Sequence, residues 1–510
     1  MSTDNAISIE VVGMRKHFGA LVALDDVSIK IRAGDFHAVL GENGAGKSTL
    51  VKCLVGFYSP DAGQILIDGR ETAIASPKDA DAARIGMVYQ HFTLIPSMTV
   101  AENLVIAKGN LPARIDWKIE RAALDAFMHE VPFKIDLDAQ VSMLAAGEKQ
   151  KVEILKQMYL RRRFLILDEP TSVLTPSEAD EILGLLRDLC QRGALTVLLI
   201  THKFREVTAF CDTVSVLRRG RHVGTLSAAD VEVDRIAEMM VGEAPPAPNL
   251  TRSVVASQPA RLVIDGLKVR GDKGTLAVRS VSLSIRPGEI VGIAGVSGNG
   301  QRELIEALSG QRAIVDGSVT IAGETYHATR EEMRRHRLYS LPEEPLKNAC
   351  IPSMSVAANM ALRNFDIAPL ARGPWLRNVQ RDVQATAYVS AFNVKCADID
   401  ARIDTLSGGN VQRAVLAREL SREVEVLIVT NPVFGLDFAA VAETWSRLMA
   451  VRNGGTAVLL ISEDIDELLT LADRIVVMSE GELVYEVPRV EFNLHVIGRY
   501  MAGYAEAATH

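Results

Sequence analysis

The sequence has few cysteines, no long apolar segment and no excess of positive charge, and each absence excludes a class of protein. It contains no Cys-x-x-Cys pair among its five cysteines, which are Cys53, Cys190, Cys211, Cys350 and Cys396. This scatter argues against a metal site and favours a reduced, cytosolic chain with free thiols. No run approaches the roughly 18 apolar residues that a membrane-spanning helix needs. The polar residues 1–5 open a segment without an apolar core, so no secretory signal is evident.

The charge balance gives no electrostatic case for nucleic acid as the main partner. The formal net charge is −8 and the isoelectric point is about 5.8, whereas nucleic-acid-binding domains are usually basic. A hydrophobic content of 48% and a charged content of 24% are those of an ordinary globular protein. With 510 residues the chain is too long for one core, and two to four domains are expected.

A glycine-rich segment then stands out between an apolar run, residues 36–40, and a helix-like run, residues 50–54. Its residues are Gly41, Glu42, Asn43, Gly44, Ala45, Gly46, Lys47, Ser48 and Thr49. A strand, a glycine turn and a helix start form the context that a phosphate-binding loop requires. Glycines let the backbone approach a polyphosphate, and the helix N-terminus faces the anion. Lys47 can reach the β- and γ-phosphates, and Ser48 can bind Mg²⁺.

Two carboxylates end an apolar strand later in the chain. Asp168 and Glu169 follow the apolar residues 164–167. A strand end beside a phosphate loop is where a Mg²⁺-binding acid is expected, and we assign this role to Asp168. Glu169 can polarise the attacking water as a general base. An isolated Asp-Glu pair is more often a solvated strand end, but the phosphate loop favours the functional interpretation.

Three further side chains are candidate site residues. Gln90 follows the apolar residues 85–89, and its amide can contact both the metal and the nucleophilic water. His202 follows another strand, residues 198–201, and can contact the γ-phosphate. Phe18 can stack on a purine ring, and its alternative is a plain core aromatic.

The sequence of the first half recurs in the second half. The segments 27–35, 41–47, 95–100 and 165–170 recur as 281–289, 295–301, 351–356 and 427–432. Two homologous halves explain the length better than one large fold. A proline- and alanine-rich stretch, residues 241–249, favours an extended linker between them. We therefore predict a first domain at 1–243, a linker at 244–260 and a second domain at 261–510.

Short apolar runs such as 195–200 and 456–461 are typical of buried parallel strands, which predicts an α/β class with a helical insert in each half. With the motifs above, the Leu-Ser-Gly-Gly-Asn string at 406–410 resembles the signature of an ABC-type ATPase. The tandem form resembles the fused double ATPase subunit of bacterial importers for simple sugars and nucleosides. The resemblance implies two tandem P-loop domains, each with a RecA-like α/β core, an antiparallel β subdomain and a helical subdomain.

The resemblance also implies ATP and Mg²⁺ as ligands. In that family the two domains meet head to tail, and each ATP lies between the phosphate loop of one domain and the signature of the other. Carried over to this chain, the residues that complete the first site are Ser407, Gly408, Gly409 and Asp437.

The two halves depart from the family pattern in different places. In the second half the lysine, metal-serine, two carboxylate, glutamine and histidine positions hold Gln301, Arg302, Thr430, Asn431, Glu343 and Glu463. In the first half the signature serine position is Ala145, and the downstream aspartate position is Thr175. The losses therefore gather in one composite site, which predicts one hydrolytic site and one non-hydrolytic site.

The resemblance finally implies two transmembrane permease subunits, identical or different, and an extracytoplasmic substrate-binding protein as partners. The chain would be peripheral at the cytoplasmic face of the membrane and would contact the permease near residues 91–98 and 343–354. Strings at 152–156, 171–176, 200–203 and 461–464 look more like the nucleoside branch than the ribose/galactose branch, which is the close alternative. A soluble tandem ATPase acting on ribosomes is disfavoured by the degenerate second half, the short linker and the negative charge. A purely regulatory ATPase is disfavoured by Glu169.

Overall fold

The structure is a computed structural model that describes most of the chain. The described residues are 5–42, 44–89, 92–109, 111–112, 114–129, 131, 135–144, 146–171, 174–201, 203–230, 232–242, 248–254, 258–272, 274–296, 298–433, 436 and 438–501. The chain divides into two compact units, Met1–Pro245 and Pro246–His510. Each unit contains one copy of the sequence repeat.

The first unit contains a four-stranded sheet and a six-stranded sheet. Its strands are β1 Ile9–Phe18, β2 Leu21–Ile31, β3 Phe36–Leu40, β4 Ala62–Ile67, β5 Arg70–Glu71, β6 Ile85–Val88, β7 Phe164–Asp168, β8 Thr196–Ile200, β9 Thr213–Arg218 and β10 Arg221–Ser227. The antiparallel sheet has the order β2-β1-β4-β5, and the larger sheet has the order β10-β9-β3-β8-β7-β6. In the larger sheet β9, β3, β8, β7 and β6 run parallel, and β10 is antiparallel to β9.

Helices cover this sheet and form a separate middle segment between β6 and β7. The helices of the first unit are α1 Lys47–Leu54, α2 Pro77–Ala82, α3 Val100–Ile106, α4 Trp117–Met128, α5 Ala146–Tyr159, α6 Pro176–Gln191, α7 Phe204–Phe210 and α8 Val233–Val241. The predicted α/β class and helical insert are therefore confirmed. The apolar run at 195–200 forms β8, which is buried along its length.

The second unit repeats this arrangement with one continuous sheet. Its strands are β11 Leu262–Arg270, β12 Leu276–Ile285, β13 Ile290–Ala294, β14 Ile314–Ile321, β15 Glu324–Thr325, β16 Leu338–Leu341, β17 Ala371–Arg372, β18 Trp375–Leu376, β19 Val426–Thr430, β20 Ala457–Ile461, β21 Arg474–Ser479 and β22 Glu482–Pro488. The sheet order is β15-β14-β11-β12-β22-β21-β13-β20-β19-β16, and β17 and β18 form a separate hairpin. One residue pair, Ser280 with Glu482, joins the antiparallel and parallel parts.

Helices of the second unit occupy the equivalent places. They are α9 Gln301–Leu308, α10 Arg330–Arg335, α11 Pro345–Asn348, α12 Val356–Ala361, α13 Asn378–Ala391, α14 Gly408–Leu420, α15 Phe438–Asn453, α16 Ile465–Leu471 and α17 Leu494–Met501. Within the described residues of both units, no helix combines the length and the apolar character that crossing a bilayer requires.

Part of the predicted linker is hydrogen-bonded to the second unit. The Asn249 amide donates to Ser446 Oγ at 2.9 Å, and the Ser253 amide donates to Asn453 Oδ1 at 3.0 Å. Arg252 forms an ion pair with Asp473 at 3.2 Å. Residues 249–253 are thus held on the second unit, while residues 243–247 lie outside the described residues.

Parallel strands place the polar residues that follow them at one edge of the sheet. In the first unit the segments after β3, β7 and β8 meet there, because these strands are neighbours in the sheet. All five residues of β3 are buried, and so are the first four residues of β7. Burial fixes the strands, and the polar site residues extend from their carboxyl ends.

Candidate functional site

The glycine-rich loop of the first unit turns directly from β3 into α1. Gly46 is the residue before the helix and has φ 103°, a value that L side chains rarely adopt. A Cβ at Gly46 would lie 2.7 Å from the Ala23 carbonyl oxygen, so both conformation and space require glycine. Gly44 has φ 82° with open space around it. The loop is therefore shaped to expose its backbone amides and the N-terminus of α1 to an anion.

Lys47, the first residue of α1, folds back over this loop. Its Nζ donates to the carbonyl oxygens of Gly41 at 2.6 Å and Glu42 at 3.1 Å. Burial lowers the pKa of Lys47, while the negative charges of Glu169, Asp168 and Glu42 act in the opposite direction. The ammonium group is therefore held at the loop, close enough to both strand-end carboxylates to feel their charge.

Asp168 and Glu169 lie at the end of β7. Burial raises the pKa of Asp168, and the adjacent charge of Glu169 adds to the increase, whereas Lys47 and Lys52 oppose it. Glu169 has φ 48°, in the left-handed region, and its amide donates to the Ile200 carbonyl on β8 at 2.9 Å. A non-glycine residue in this region costs about 1 kcal/mol or more and persists only where the surroundings enforce it. The backbone therefore leaves the extended conformation of β7 at Glu169.

The oxygen donors at this edge fit a Mg²⁺ ion. Ser48 is exposed in the first turn of α1, and Asp168 is a partly buried carboxylate beside a second negative charge. A divalent cation would neutralise that excess charge, and hydroxyl and carboxylate oxygens are its preferred ligands. Among the described residues, no group of three His, Cys, Asp or Glu side chains could hold a metal by itself.

Four predicted site residues lie outside the described residues. They are Asn43 in the loop, Gln90 after β6, His202 after β8, and Asp437 before α15. The described neighbours of Gln90 and His202 end β6 and β8, at the same sheet edge as Asp168. Their roles stay predictions.

Phe18, at the end of β1, is not a core side chain. Its relative exposure is 42%. The ring meets Tyr58 edge to face, with 5.1 Å between ring centroids, and Lys16 Nζ lies 5.6 Å from the Phe18 centroid. The exposure excludes the alternative in which Phe18 is a plain core aromatic. The ring is free of the core and could stack on a base, and that contact stays a prediction. Sequence reasoning missed Tyr58 and Lys16, although Lys16 could have been found by its position two residues before Phe18.

The second unit keeps the loop backbone but replaces its chemistry. Gly300 precedes α9 with φ 105°, as Gly46 precedes α1. Gln301 Nε2 donates to the Val296 carbonyl at 3.3 Å, which corresponds to the Lys47 bond to Glu42. Arg302 is paired with Asp272. The side chain at the loop is thus neutral, and the position of Ser48 carries a cation instead of a metal ligand.

The strand end of the second unit is altered in the same way. Asn431 has φ 41°, and its amide donates to the Ile461 carbonyl at 2.8 Å, so it repeats the backbone of Glu169. Its side-chain Oδ1 accepts from the Glu463 amide at 2.9 Å. Thr430 Oγ1 is buried and has no hydrogen-bond partner among the described residues. The fold of the site is retained without the carboxylates.

The signature string of the second unit begins α14. Ser407 is the residue before the helix, and both Ser407 and Gly408 are exposed. Asn410 Nδ2 donates to Ser407 Oγ at 2.9 Å, and Asn410 Oδ1 accepts from the Lys395 amide at 2.8 Å. No atom lies within 4 Å of a Cβ built on Gly408. This is an open helix N-terminus with an oriented hydroxyl, which suits an anion. In the first unit, the equivalent Ala145 lies outside the described residues.

Comparisons with known proteins agree with this architecture. The model of a family described as ABC transporter matches residues 24–172 and 278–433. The chain is 39% identical to the glucose import ATP-binding protein TsgD13 of Haloferax volcanii, over 96% of this chain and 95% of that protein. It is 35% identical to the nucleoside import ATP-binding protein NupA of Lactococcus lactis subsp. cremoris, over 94% and 95%. A chain in the crystal structure of archaeal ribosomal stalk protein aP1 with ribosome recycling factor aABCE1 gives a TM-score of 0.61 at 19% identity, over 93% and 90%. That last likeness concerns the fold alone.

Proposed function

The chain belongs to the ABC transporter family, and from this premise we propose that it powers an importer for nucleosides by hydrolysing ATP at one site. Membership confirms the predicted tandem ABC ATPase fold and the predicted ATPase activity. The observation that carries the proposal is the cluster of Lys47, Asp168 and Glu169 at the glycine loop of the first unit. The same backbone positions of the second unit hold Gln301, Thr430 and Asn431.

In the first unit, the loop amides and Lys47 bind the β- and γ-phosphates. Ser48, Gln90 and Asp168 would hold a Mg²⁺ ion, which would neutralise phosphate charge when bound. Glu169 accepts a proton from the attacking water. His202 contacts the γ-phosphate.

The signature of the second unit completes this hydrolytic site. The proposal rests on the residue types of each unit taken separately. Ser407, Gly408 and Gly409 offer a hydroxyl and amides, and Asp437 is retained, whereas the first unit has Ala145 in the serine position. The site that would combine the degenerate loop of the second unit with this weakened signature does not hydrolyse ATP, because it lacks lysine, metal ligand and base.

The hydrolytic assignment is tested by a matched pair of substitutions in the chain assembled with its permease. Glu169→Gln keeps the shape of the side chain but removes its basicity, and is expected to lower kcat by about 10²- to 10⁴-fold. The control, Asn431→Gln, alters the equivalent position of the second unit and should leave kcat unchanged. Full activity in Glu169→Gln would exclude Glu169 as the base.

The partners are two transmembrane permease subunits, identical or different, which the chain contacts from the cytoplasmic face of the membrane. An extracytoplasmic substrate-binding protein is the indirect partner. In the second unit a cleft of about 320 Å³ adjoins the predicted contact segment and is lined in part by Lys347, Cys350 and Ile351. In the first unit Phe92 and Ile95 of the corresponding segment are exposed. Both surfaces support docking of a short permease segment.

Nucleosides are the proposed cargo, supported by the sequence strings of the nucleoside branch and by the nucleoside importer relative. Simple sugars are the second candidate, supported by the glucose importer relative. Uptake of labelled nucleosides, ribose and glucose is measured in cells that lack this chain and carry either the wild type or Glu169→Gln. Nucleoside uptake that is restored by the wild type but not by Glu169→Gln supports nucleosides as the cargo. If only sugar uptake is restored, the cargo is a simple sugar instead. Action on ribosomes is not supported, because the ribosome-recycling likeness reaches only 19% identity.

A further inference from the structure

A buried carboxylate lies beside the proposed site without belonging to it. Glu206, in the first turn of α7, has a relative exposure of 3%. Its Oε1 accepts a short hydrogen bond from Thr171 Oγ1, and its Oε2 accepts one from Thr201 Oγ1 at 2.8 Å. Lys203 Nζ lies 3.7 Å from the same carboxylate. A buried charge is retained only where such partners compensate its desolvation.

The two hydroxyls that Glu206 binds belong to different loops. Thr171 follows β7 two residues after Glu169, and Thr201 follows β8 one residue before His202. Lys203 Nζ also donates to the Thr171 carbonyl at 3.1 Å. One carboxylate thus joins the segment carrying the proposed base to the segment carrying the proposed γ-phosphate contact.

The bonds of Glu206 help to enforce the left-handed backbone conformation of Glu169. A strained backbone persists only when several contacts enforce it. One contact is the bond from the Glu169 amide to the Ile200 carbonyl at 2.9 Å. The Glu206–Thr171 bond fixes the chain on the other side of Glu169, so the two contacts bracket the strained residue.

The second unit provides a natural comparison. Glu467 occupies the place of Glu206, but its carboxylate accepts from Ser462 Oγ at 2.7 Å and from Trp445 Nε1 at 2.9 Å. Trp445 lies on α15, and the position of Thr171 is Val433, which has no hydroxyl. The carboxylate therefore keeps its bond to the residue after β20, but a bond to α15 replaces the bond to the loop after β19. This is the unit that also lacks the base.

We propose that Glu206 is a positioning residue, which acts through Thr171 and Thr201 to hold Glu169 in the geometry for hydrolysis. The inference rests on the proposed role of Glu169. Misplacing a reacting group by about 1 Å can cost on the order of 10²-fold in rate. Loss of the link therefore lowers turnover while the phosphate loop continues to bind nucleotide.

The test uses the full chain assembled with its permease and measures kcat, KM and ATP affinity. Thr171→Val removes the hydroxyl at nearly constant volume and is expected to lower kcat about tenfold with KM within about twofold. Thr171→Ser restores the hydroxyl and should recover kcat to within about twofold. The control Ser462→Ala breaks the Ser462–Glu467 bond, the second-unit counterpart of the Thr201–Glu206 bond, and should leave kcat unchanged. Melting temperatures establish that each variant is folded.

A double variant separates positioning from simple packing. If Glu206 acts through Thr171, the kcat effects of Thr171→Val and Glu206→Gln should be non-additive. A folded Thr171→Val variant with wild-type kcat would overturn the inference, as would a change confined to KM or a Thr171→Ser variant as slow as Thr171→Val. The proposed function fails on a different result, namely full activity of Glu169→Gln.

Discussion

The buried Glu467 in the second unit leads to a quantitative prediction about stability and pH. Its side chain is fully buried and accepts from Ser462 Oγ at 2.7 Å and Trp445 Nε1 at 2.9 Å. Burial raises the pKa of Glu467 to about 7 from its ordinary value of 4.5, the two hydrogen bonds oppose the increase, and the negative charge of Asp464 adds to it. The folded unit therefore holds a proton that the unfolded chain has already released.

The difference between the folded and unfolded pKa of Glu467 makes the stability of the second unit depend on pH. Because the folded-state pKa is the higher one, the folded state binds more protons between pH 4.5 and about 7. The contribution of Glu467 to stability is fully present below pH 4.5, falls as the pH rises, and is lost above about 7. At about 1.4 kcal/mol for each pH unit between the two values, the loss is on the order of 3 kcal/mol.

Glu467→Gln tests this by making the group permanently neutral. The amide oxygen can accept from Trp445 Nε1, and the amide NH₂ can donate to Ser462 Oγ, so both contacts have a partner. Thermal unfolding of the wild type and the variant is followed from pH 4 to pH 8.5. As the pH rises, the melting temperature of the variant should increase relative to that of the wild type. The change should be about 5 to 10 °C for the second unit.

A second substitution identifies the source of the effect. Asp464→Asn keeps an N-cap residue on α16 but removes a charge that raises the pKa of Glu467. The loss of stability with rising pH should then be complete at a lower pH in Asp464→Asn than in the wild type. A constant difference between the melting temperatures of Glu467→Gln and the wild type across the pH range would show that Glu467 does not titrate between pH 4.5 and about 7.

Three other predictions concern the site. Lys47→Ala should lower ATPase kcat by about 10²- to 10³-fold, because it removes the cation at the loop, while Gln301→Ala should stay within about twofold of the wild type; comparable losses in both would contradict the asymmetry. Gly46→Ala should lower the free energy of unfolding by at least about 1 to 2 kcal/mol, since φ is 103° and the new Cβ would meet the Ala23 carbonyl. Thermal unfolding should show a smaller loss for Gly44→Ala, where the space is open. Ser407→Ala should lower kcat by about ten- to a hundredfold through loss of a hydrogen bond to phosphate, measured in the same ATPase assay; an unchanged kcat would exclude Ser407 from the hydrolytic site.

Much of the site could be predicted from the sequence because its parts are local patterns. A strand, glycines and a helix start at 36–54 predict a phosphate loop, since each element is specified by neighbouring residues. The carboxylates Asp168 and Glu169 were recognisable for the same reason, because they directly follow an apolar strand. The α/β class followed from short apolar runs, of which 195–200 forms the buried strand β8.

Other features depend on residues that are far apart in the sequence. No local pattern shows that Glu169 adopts φ 48°, because that conformation is set by the Ile200 carbonyl on the neighbouring strand. The exposure of Phe18 depends on where β1 ends beside Tyr58. The bond between Glu206 and Thr171 likewise forms only when the fold brings α7 next to the residues that follow β7.

The residue types of the site can be assigned from the sequence alone. The first half has a complete phosphate loop and carboxylate pair, and the second half has neutral or cationic replacements. Residue identity is sufficient there, because the second half has no lysine or carboxylate at the positions equivalent to Lys47, Asp168 and Glu169. How these groups act on one another depends on the tertiary structure. Burial and packing brought Lys47 within electrostatic reach of Asp168 and Glu169, and they bound one buried glutamate to the loop after Glu169 and its counterpart to a helix. Electrostatic and hydrogen-bonding effects depend on distance in space, which sequence separation does not provide.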